Sequence, residues 1–97
     1  MQTGKVYTFK LNSGEEMIAK VVAVSDTVLE IENPVSVAPG PQGMGLVPSM
    51  FTADPRQPHQ LNTNCVAIWG LTDDAVCAKY IEATTGIKVP EKKILVG

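Results

Sequence analysis

The segment FKLNSGEEMIAKVVAVSDTVLEIENPV, residues 9–35, decides the fold, because apolar and polar side chains alternate along it between short runs of turn residues. Residues 12–14 separate its first run from its second, and residues 25–26 separate the second from the third. Period-two alternation with short turns is typical of consecutive antiparallel strands. These strands are predicted at residues 5–11, 15–24 and 27–37. The second strand is apolar on both faces toward Val24, which favours a strongly bent sheet or a barrel.

Beyond this segment the chain is first rich in turn residues, and strand-forming residues follow. Six of the seven prolines lie between residues 34 and 58, so most of that stretch is predicted to be loop. Only residues 45–52 have strand character there, and Pro48 makes them an edge or bulged strand. Residues 53–61 are predicted to be a polar loop. The β-branched and aromatic residues at 64–69 predict the fifth strand.

One amphipathic helix is predicted at residues 73–85, where Thr72 or Asp73 can cap the first turn. Apolar residues recur at helical spacing along one stripe, which we expect to pack on the open end of the bent sheet. The stripe consists of Val76, Cys77, Tyr80, Ile81 and Thr84. For residues 88–97 the sequence leaves two arrangements open, an extended packed arm or a frayed end.

Composition limits the class of protein. A chain of 97 residues with 44% hydrophobic and 19% charged residues is expected to fold as one domain, residues 1–97. Its net charge of −2 argues against tight, nonspecific binding of nucleic-acid phosphates by the whole surface. Because the sequence lacks an apolar run of about 20 residues and an N-terminal signal-peptide pattern, we expect a soluble cytoplasmic protein with no membrane partner.

No residue pattern indicates catalysis, a cofactor or a metal. Cys65, Cys77 and the single histidine, His59, do not have the spacing of metal ligands, and both cysteines are interpreted as reduced, half-buried residues. His59 follows Asp54 and Arg56 in a proline-rich loop without an accompanying nucleophile. We therefore expect no enzyme activity and no cofactor, so that binding or assembly is the remaining class of function.

The segment quoted above resembles the first sequence motif of the Sm and LSm proteins, a superfamily that includes the Hfq type. Its matching positions are Leu11, Gly14, Val21, Asp26 and Ile31. The stretches GLVPSMF, residues 45–51, and GIKVPEKKIL, residues 86–95, resemble Sm-like proteins of large tailed cyanobacterial phages. For a phage-encoded protein, the expected location is the host cytoplasm.

The resemblance implies a mainly β fold, a strongly bent five-stranded antiparallel sheet that forms a small open barrel, here with one C-terminal α-helix. It also implies a closed homo-oligomeric ring of roughly five to seven copies, in which the fourth strand of one subunit pairs with the fifth strand of the next. The expected subunit-interface residues are Leu46, Val47, Met50, Phe51, Val66 and Ile68.

The family binds single-stranded RNA in the ring pore through two loops, and this sequence departs from the family pattern at both. No amide residue follows Asp26 within the next three positions, and the nearest equivalent of the family's Arg-Gly pair is Trp69-Gly70. In the family manner, Asp26 would order its turn, Trp69 or Val28 would stack a base, and Lys20 or Arg56 would supply charge. The RNA-binding candidates are Asp26, Thr27, Val28, Leu29, Lys20, Arg56, Trp69 and Gly70.

Two functions follow as hypotheses. The first is an RNA-binding or RNA-chaperone ring. The second is a phage assembly or scaffold ring that binds a protein partner through its proline-rich loops, without RNA. The acidic charge slightly favours the second hypothesis.

Overall fold

The computed structural model describes residues 1–41 and 43–85. The elements are β1 (Val6–Leu11), β2 (Glu16–Val24), β3 (Val28–Gly40), β4 (Gly43–Pro48), β5 (His59–Asn62), a 3₁₀ turn (Thr63–Cys65), β6 (Val66–Leu71) and α1 (Asp74–Thr85). The strands pair antiparallel in the order β4-β3-β2-β1-β6, and β5 also pairs with β3. The prediction of a mainly β, open antiparallel sheet with a C-terminal helix is confirmed.

The β1–β2 hairpin forms at the turn that the sequence predicts. Gly14 has a φ of 94°, in the left-handed region that glycine enters without steric cost. The two strands pair Tyr7 with Ala19 and Phe9 with Met17. Directly opposite residues share a face of the sheet, so these four side chains lie together.

A bulge lies near the middle of β3. Odd-numbered residues before the bulge face one side of the sheet, and odd-numbered residues after it face the other side. Asn33 has a φ of 52°, a left-handed conformation that asparagine tolerates better than most residues. The ladder to β2 shifts register here, because Ile18 lies opposite Val35 while Lys20 lies opposite Glu32. An advance of two residues along β2 thus corresponds to an advance of three residues along β3. The extra residue sends side chains before and after the bulge into different cores.

The larger core, which we call the strand core, lies on one face of the sheet. It consists of Tyr7, Phe9, Met17, Ala19, Val21, Leu29 and Ile31. Phe9 and Val21 have no exposed surface. Leu61 of β5 and Val66 of β6 pack against this core from the two ends of the sheet. The sheet therefore curls around Phe9, while β5 and β6 stay unpaired with each other.

The smaller core, which we call the helix core, lies on the opposite face and consists of Ile18, Val35 and Tyr80. The hydroxyl of Tyr80 donates toward the carbonyl oxygens of Glu32 and Asn33, both at 3.0 Å, and accepts the N–H of Lys20 at 3.2 Å. These backbone groups flank the bulge, where the regular ladder is broken. Tyr80 therefore satisfies them and fixes α1 to the sheet.

Asp73 caps α1, as predicted. Its Oδ2 accepts the N–H groups of Ala75 at 3.1 Å and Val76 at 3.3 Å, which the first helical turn leaves without helical partners. The alternative cap, Thr72, has a different role. It is 9% exposed, and its hydroxyl lies 2.9 Å from that of Thr8.

The packing predicted for the helix is wrong in two respects. The helix covers the face that carries Ile18 and Val35, rather than the open end of the bent sheet. Ile81 is 48% exposed, although it was expected to pack with Tyr80. Successive residues of a helix point in directions about 100° apart. Because Tyr80 and Val76 face the sheet, Ile81 points toward solvent.

The strand boundaries also differ from the prediction. Residues 53–61, predicted to be a polar loop, include the start of β5, so the sheet has a sixth strand. Four residues are too few to establish a period, which is why the pattern went unrecognised. The fourth strand ends at Pro48 instead of residue 52, although the Ser49 N–H still donates to the Pro34 carbonyl at 3.0 Å. Residues 88–97 lie outside the described residues.

Candidate functional site

Strand β6 has one outer edge with no strand partner among the residues that the structure describes, since it pairs only with β1. The Thr72 N–H donates to the Val6 carbonyl at 3.2 Å. Backbone groups of an antiparallel strand alternate in direction, so residues 70 and 68 also point toward β1. The N–H and C=O groups of Trp69 and Leu71 therefore lie on the outer edge.

Strand β5 has an equivalent outer edge within residues 1–41 and 43–85, because it pairs only with β3. The Thr63 N–H donates to the Thr27 carbonyl at 2.9 Å. The same alternation turns the backbone groups of Gln60 and Asn62 outward. A three-residue turn joins β5 to β6, so the two open edges belong to neighbouring elements at the two ends of one curled sheet.

Large apolar side chains are exposed along β6. Ile68 is 68% exposed, Trp69 50% and Leu71 64%. Trp69 lies opposite Phe9, on the strand-core face, and its ring meets that of Tyr7 edge-on, with 5.6 Å between centroids. An apolar strand with an open edge is a template for pairing with another chain.

A polar rim, which we define as residues 25–27 and 62–64, lies where the two ends of the sheet meet. The Thr63 hydroxyl donates to the Asp26 carbonyl at 3.4 Å. The Ser25 hydroxyl donates to the Val28 carbonyl at 2.8 Å and accepts the Val28 N–H at 3.3 Å. The prediction that Asp26 orders this turn is wrong: in the part of the chain that the structure describes, Ser25 does so.

A cavity of about 380 Å³ lies beside the polar rim. Its lining includes Phe9, Val24, Ser25, Leu29, Thr63 and Trp69. Two predicted RNA-binding residues, Leu29 and Trp69, therefore meet at one place. The cavity is mainly apolar, with hydroxyl groups at Ser25 and Thr63, and this combination suits a flat, partly polar group.

The two predicted cationic residues lie elsewhere. Lys20 alternates onto the helix-core face, opposite to the face of Trp69, and its backbone N–H bonds to Tyr80. Arg56 forms two side-chain hydrogen bonds to Asp54, at 3.1 and 3.2 Å. These hydrogen bonds lower the pKa of Asp54 below its ordinary value. Neither Lys20 nor Arg56 is among the residues that line the Trp69 cavity.

The predicted interface residues divide into two groups. Val47, Met50, Phe51 and Ile68 are exposed, Phe51 by 82%. Leu46 and Val66 instead pack on the helix core and the strand core of their own chain. Gly70, a predicted RNA contact, lies opposite Thr8 in the interior of β6 rather than in a loop.

Three amide side chains near the rim are not among the binding residues that the sequence predicts. The Asn62 side chain accepts the Asn64 N–H at 2.9 Å, and the Asn12 side chain donates to the Asn64 carbonyl at 2.8 Å. The turn that follows β5 is at residues 63–65, whereas Trp69 and Gly70 lie within β6. The polar run Asn62-Thr63-Asn64 before an apolar strand was the available signal.

Residues 1–41 and 43–85 contain no group of three or more His, Cys, Asp or Glu placed to hold a metal ion. Cys65 and Cys77 are free thiols, and Cys65 is exposed rather than half-buried as predicted. Over the same residues, no helix is long and apolar enough to cross a bilayer.

The chain was also compared with known proteins. No protein-family model matches it, and no curated protein matches it either. The fold and the geometry of the two edges therefore carry the functional interpretation.

Proposed function

We propose that this chain assembles into a closed, Sm-like homo-oligomeric ring and that the polar rim binds single-stranded RNA. The observation that carries the proposal is the pair of open edges on β5 and β6. Each edge offers backbone donors and acceptors at two alternate residues. Pairing β6 of one copy with β5 of the next would satisfy both edges, and a repeated head-to-tail contact closes into a ring when the rotation permits.

Strand β5 suits this contact better than β4, the fourth strand of the prediction. Leu61 of β5 lies against the strand core, as do the side chains of β6 at Val66 and Trp69. A β6–β5 pair between copies would thus continue one apolar face around the ring. Strand β4 contains two glycines and Pro48, which lacks a donor and weakens an edge for strand addition.

The RNA part of the proposal rests on the chemistry of the rim. Its amides and hydroxyls are donors and acceptors suited to base edges, and Trp69 offers an aromatic face beside it. The expected contacts to phosphate are few, because neither Lys20 nor Arg56 lines the cavity. Six copies of a chain with net charge −2 would carry about −12 in a hexamer. We therefore expect weak binding that salt weakens further.

Fluorescence anisotropy with labelled oligo-A and oligo-U tests RNA binding. At about 50 mM salt at least one oligonucleotide should bind with a dissociation constant in the micromolar range or above, and the affinity should fall at about 200 mM salt. The Asn64→Ala variant should weaken binding, whereas Lys20→Ala should not. Failure of both oligonucleotides at low salt, or equal affinities of wild type and Asn64→Ala, would remove RNA from the proposal.

A protein-binding scaffold is the second candidate function. The observation that favours it is the exposure of Met50, at 55%, and Phe51, at 82%, in the loop after β4. An exposed apolar patch is typical of a protein interface. A ring that binds neither oligonucleotide would support this function over RNA binding.

A further inference from the structure

The Trp69 cavity is large enough for a nucleobase and is almost entirely apolar. Its volume of about 380 Å³ lies within the range of about 300–1,000 Å³ that is usual for small-molecule sites. Only two of the described residues that line it, Ser25 and Thr63, have a side-chain hydroxyl. The indole N–H of Trp69 lies in the plane of its ring, so a base stacked on the ring face does not meet it. Ser25 and Thr63 therefore decide which polar groups of a base the cavity accepts.

The hydrogen-bond donors of Ser25 are both used within the turn between β2 and β3. Its N–H donates to the Val28 carbonyl at 3.0 Å, and its hydroxyl donates to the same oxygen at 2.8 Å. A carbonyl oxygen carries no proton, so the proton of the second bond belongs to Ser25. The hydroxyl oxygen also accepts the Val28 N–H at 3.3 Å. One lone pair remains at this hydroxyl, and a lone pair can only accept.

The donors of Thr63 are used in the same way. Its N–H donates to the Thr27 carbonyl at 2.9 Å, and its hydroxyl donates to the Asp26 carbonyl at 3.4 Å. The amides of Asn62 and Asn64 do carry donors, but they belong to the rim and do not line the cavity. The two hydroxyl groups of the lining therefore present acceptors to whatever the cavity binds.

Nucleobases differ in what they offer to such a site. Adenine, cytosine and guanine each have an exocyclic amino group, which has two N–H donors, whereas uracil has carbonyl oxygens on its edge. A carbonyl oxygen placed against a hydroxyl that has no free proton stays without a partner, which is costly away from water. Building on the proposed RNA binding, we infer that the Trp69 cavity binds a base with an exocyclic amino group and discriminates against uracil.

Fluorescence anisotropy with labelled oligo-C and oligo-U of equal length tests the inference, because cytosine and uracil have rings of the same size. At about 50 mM salt, the wild type should bind oligo-C about twofold to tenfold more tightly than oligo-U, the ratio expected for one net hydrogen bond. Trp69 is the single tryptophan of the chain. A change of its fluorescence on addition of unlabelled oligo-C would therefore place the base in this cavity.

Two substitutions of Thr63 separate the acceptor from the shape of the side chain. Thr63→Val keeps the branched shape and removes the hydroxyl, so it should at least halve the ratio of the two affinities. Thr63→Ser keeps the hydroxyl and should retain the wild-type ratio. Circular dichroism checks that both variants are folded, and the comparison of oligo-C with oligo-U on the wild type needs neither of them.

Three results would overturn the inference and leave RNA binding in place. They are equal affinities of the wild type for oligo-C and oligo-U, binding of oligo-C without a change in Trp69 fluorescence, and an undiminished ratio in a folded Thr63→Val variant. Failure of oligo-A, oligo-C and oligo-U to bind at low salt would instead remove the proposed RNA binding, and this inference would fall with it.

Discussion

The two faces of the sheet are completed in different ways. On the helix-core face, α1 covers Ile18 and Val35, and Tyr80 bonds to the backbone at the β3 bulge. On the strand-core face, the sheet curls over Phe9 but ends at two open edges. The chain thus completes one face from its own sequence and leaves on the other the edges at which we expect a second copy. Substitutions on each face can test this difference separately.

The largest expected effect belongs to the strand core. Phe9 has no exposed surface, and replacing a buried phenylalanine by alanine leaves a cavity that the surrounding strands only partly fill. Phe9→Ala should lower the free energy of unfolding by about 3–5 kcal/mol, measured by urea denaturation monitored by circular dichroism. A loss below about 1 kcal/mol would show that Phe9 is not at the centre of the core.

The next effect belongs to the helix core. Tyr80→Phe keeps the ring and removes the hydroxyl that bonds to Lys20, Glu32 and Asn33. Leaving those partly buried backbone groups without this partner should cost about 1–3 kcal/mol. Urea denaturation again measures the change. A Tyr80→Phe variant as stable as wild type would show that the hydroxyl does not support the bulge.

Tyr80 also predicts a pH dependence. Burial raises its pKa from the ordinary 10 to about 12, because the charged phenolate is disfavoured away from water. The folded state therefore holds this proton more tightly than the unfolded state. The resulting stability is fully present below pH 10 and is lost as the pH rises toward 12. Between pH 10 and 12, Tyr80→Phe should lose less stability than wild type does; equal losses would contradict this assignment.

The bulge itself gives a smaller effect. Asn33 has a φ of 52°, so Asn33→Ala should destabilise the fold by about 1 kcal/mol or more, since alanine is strained in the left-handed region. Asn33→Gly, which enters that region freely, should stay closer to wild type. Thermal unfolding of the two variants distinguishes them. The reverse order of stability would mean that the left-handed conformation is not required for the face reversal.

The smallest effect is expected on the outer side of the helix. Ile81 is 48% exposed, so Ile81→Asp should change stability by no more than about 0.5 kcal/mol. Val76, which packs on the helix core, is the matched position. Val76→Asp should destabilise by several times as much, because it places a charge against the core. Equal melting temperatures for the two variants would show that the rotation of α1 is wrong.

The sequence predicts those parts of the molecule that have a clear local period. The strands from residue 6 to residue 37 and the capped helix follow from alternation, turn glycine and Asp73. The rotation of the helix about its axis could not be predicted from the sequence. It depends on the hydrogen bonds of Tyr80 to a backbone bulge that is distant along the chain. Strand β5 was missed because four residues with one apolar side chain form no pattern.

The candidate site was less predictable than the fold. Residues 26–29 and Trp69 were named from the sequence, and two of them, Leu29 and Trp69, border one cavity. Lys20 was assigned to that site although strand alternation places it on the opposite face once β2 is aligned. The amides at residues 62 and 64 belong to the rim only because β5 and the turn after it place them there. The face of Lys20 and the position of the two amides both depend on pairing between strands that are distant along the chain. A single sequence does not specify that pairing.

The mass of the protein in solution tests the ring most directly. Wild type should form an oligomer of about 50–75 kDa by light scattering, as expected for five to seven copies of a 10.4 kDa chain. Leu71→Pro removes an N–H that points to the outer edge of β6 and spares the ladder to β1, so it should give a folded monomer. Leu71→Ala, which keeps that N–H, should retain the oligomer. A monomeric wild type at micromolar concentration, or a Leu71→Pro variant that keeps the oligomer mass, would contradict assembly through this edge.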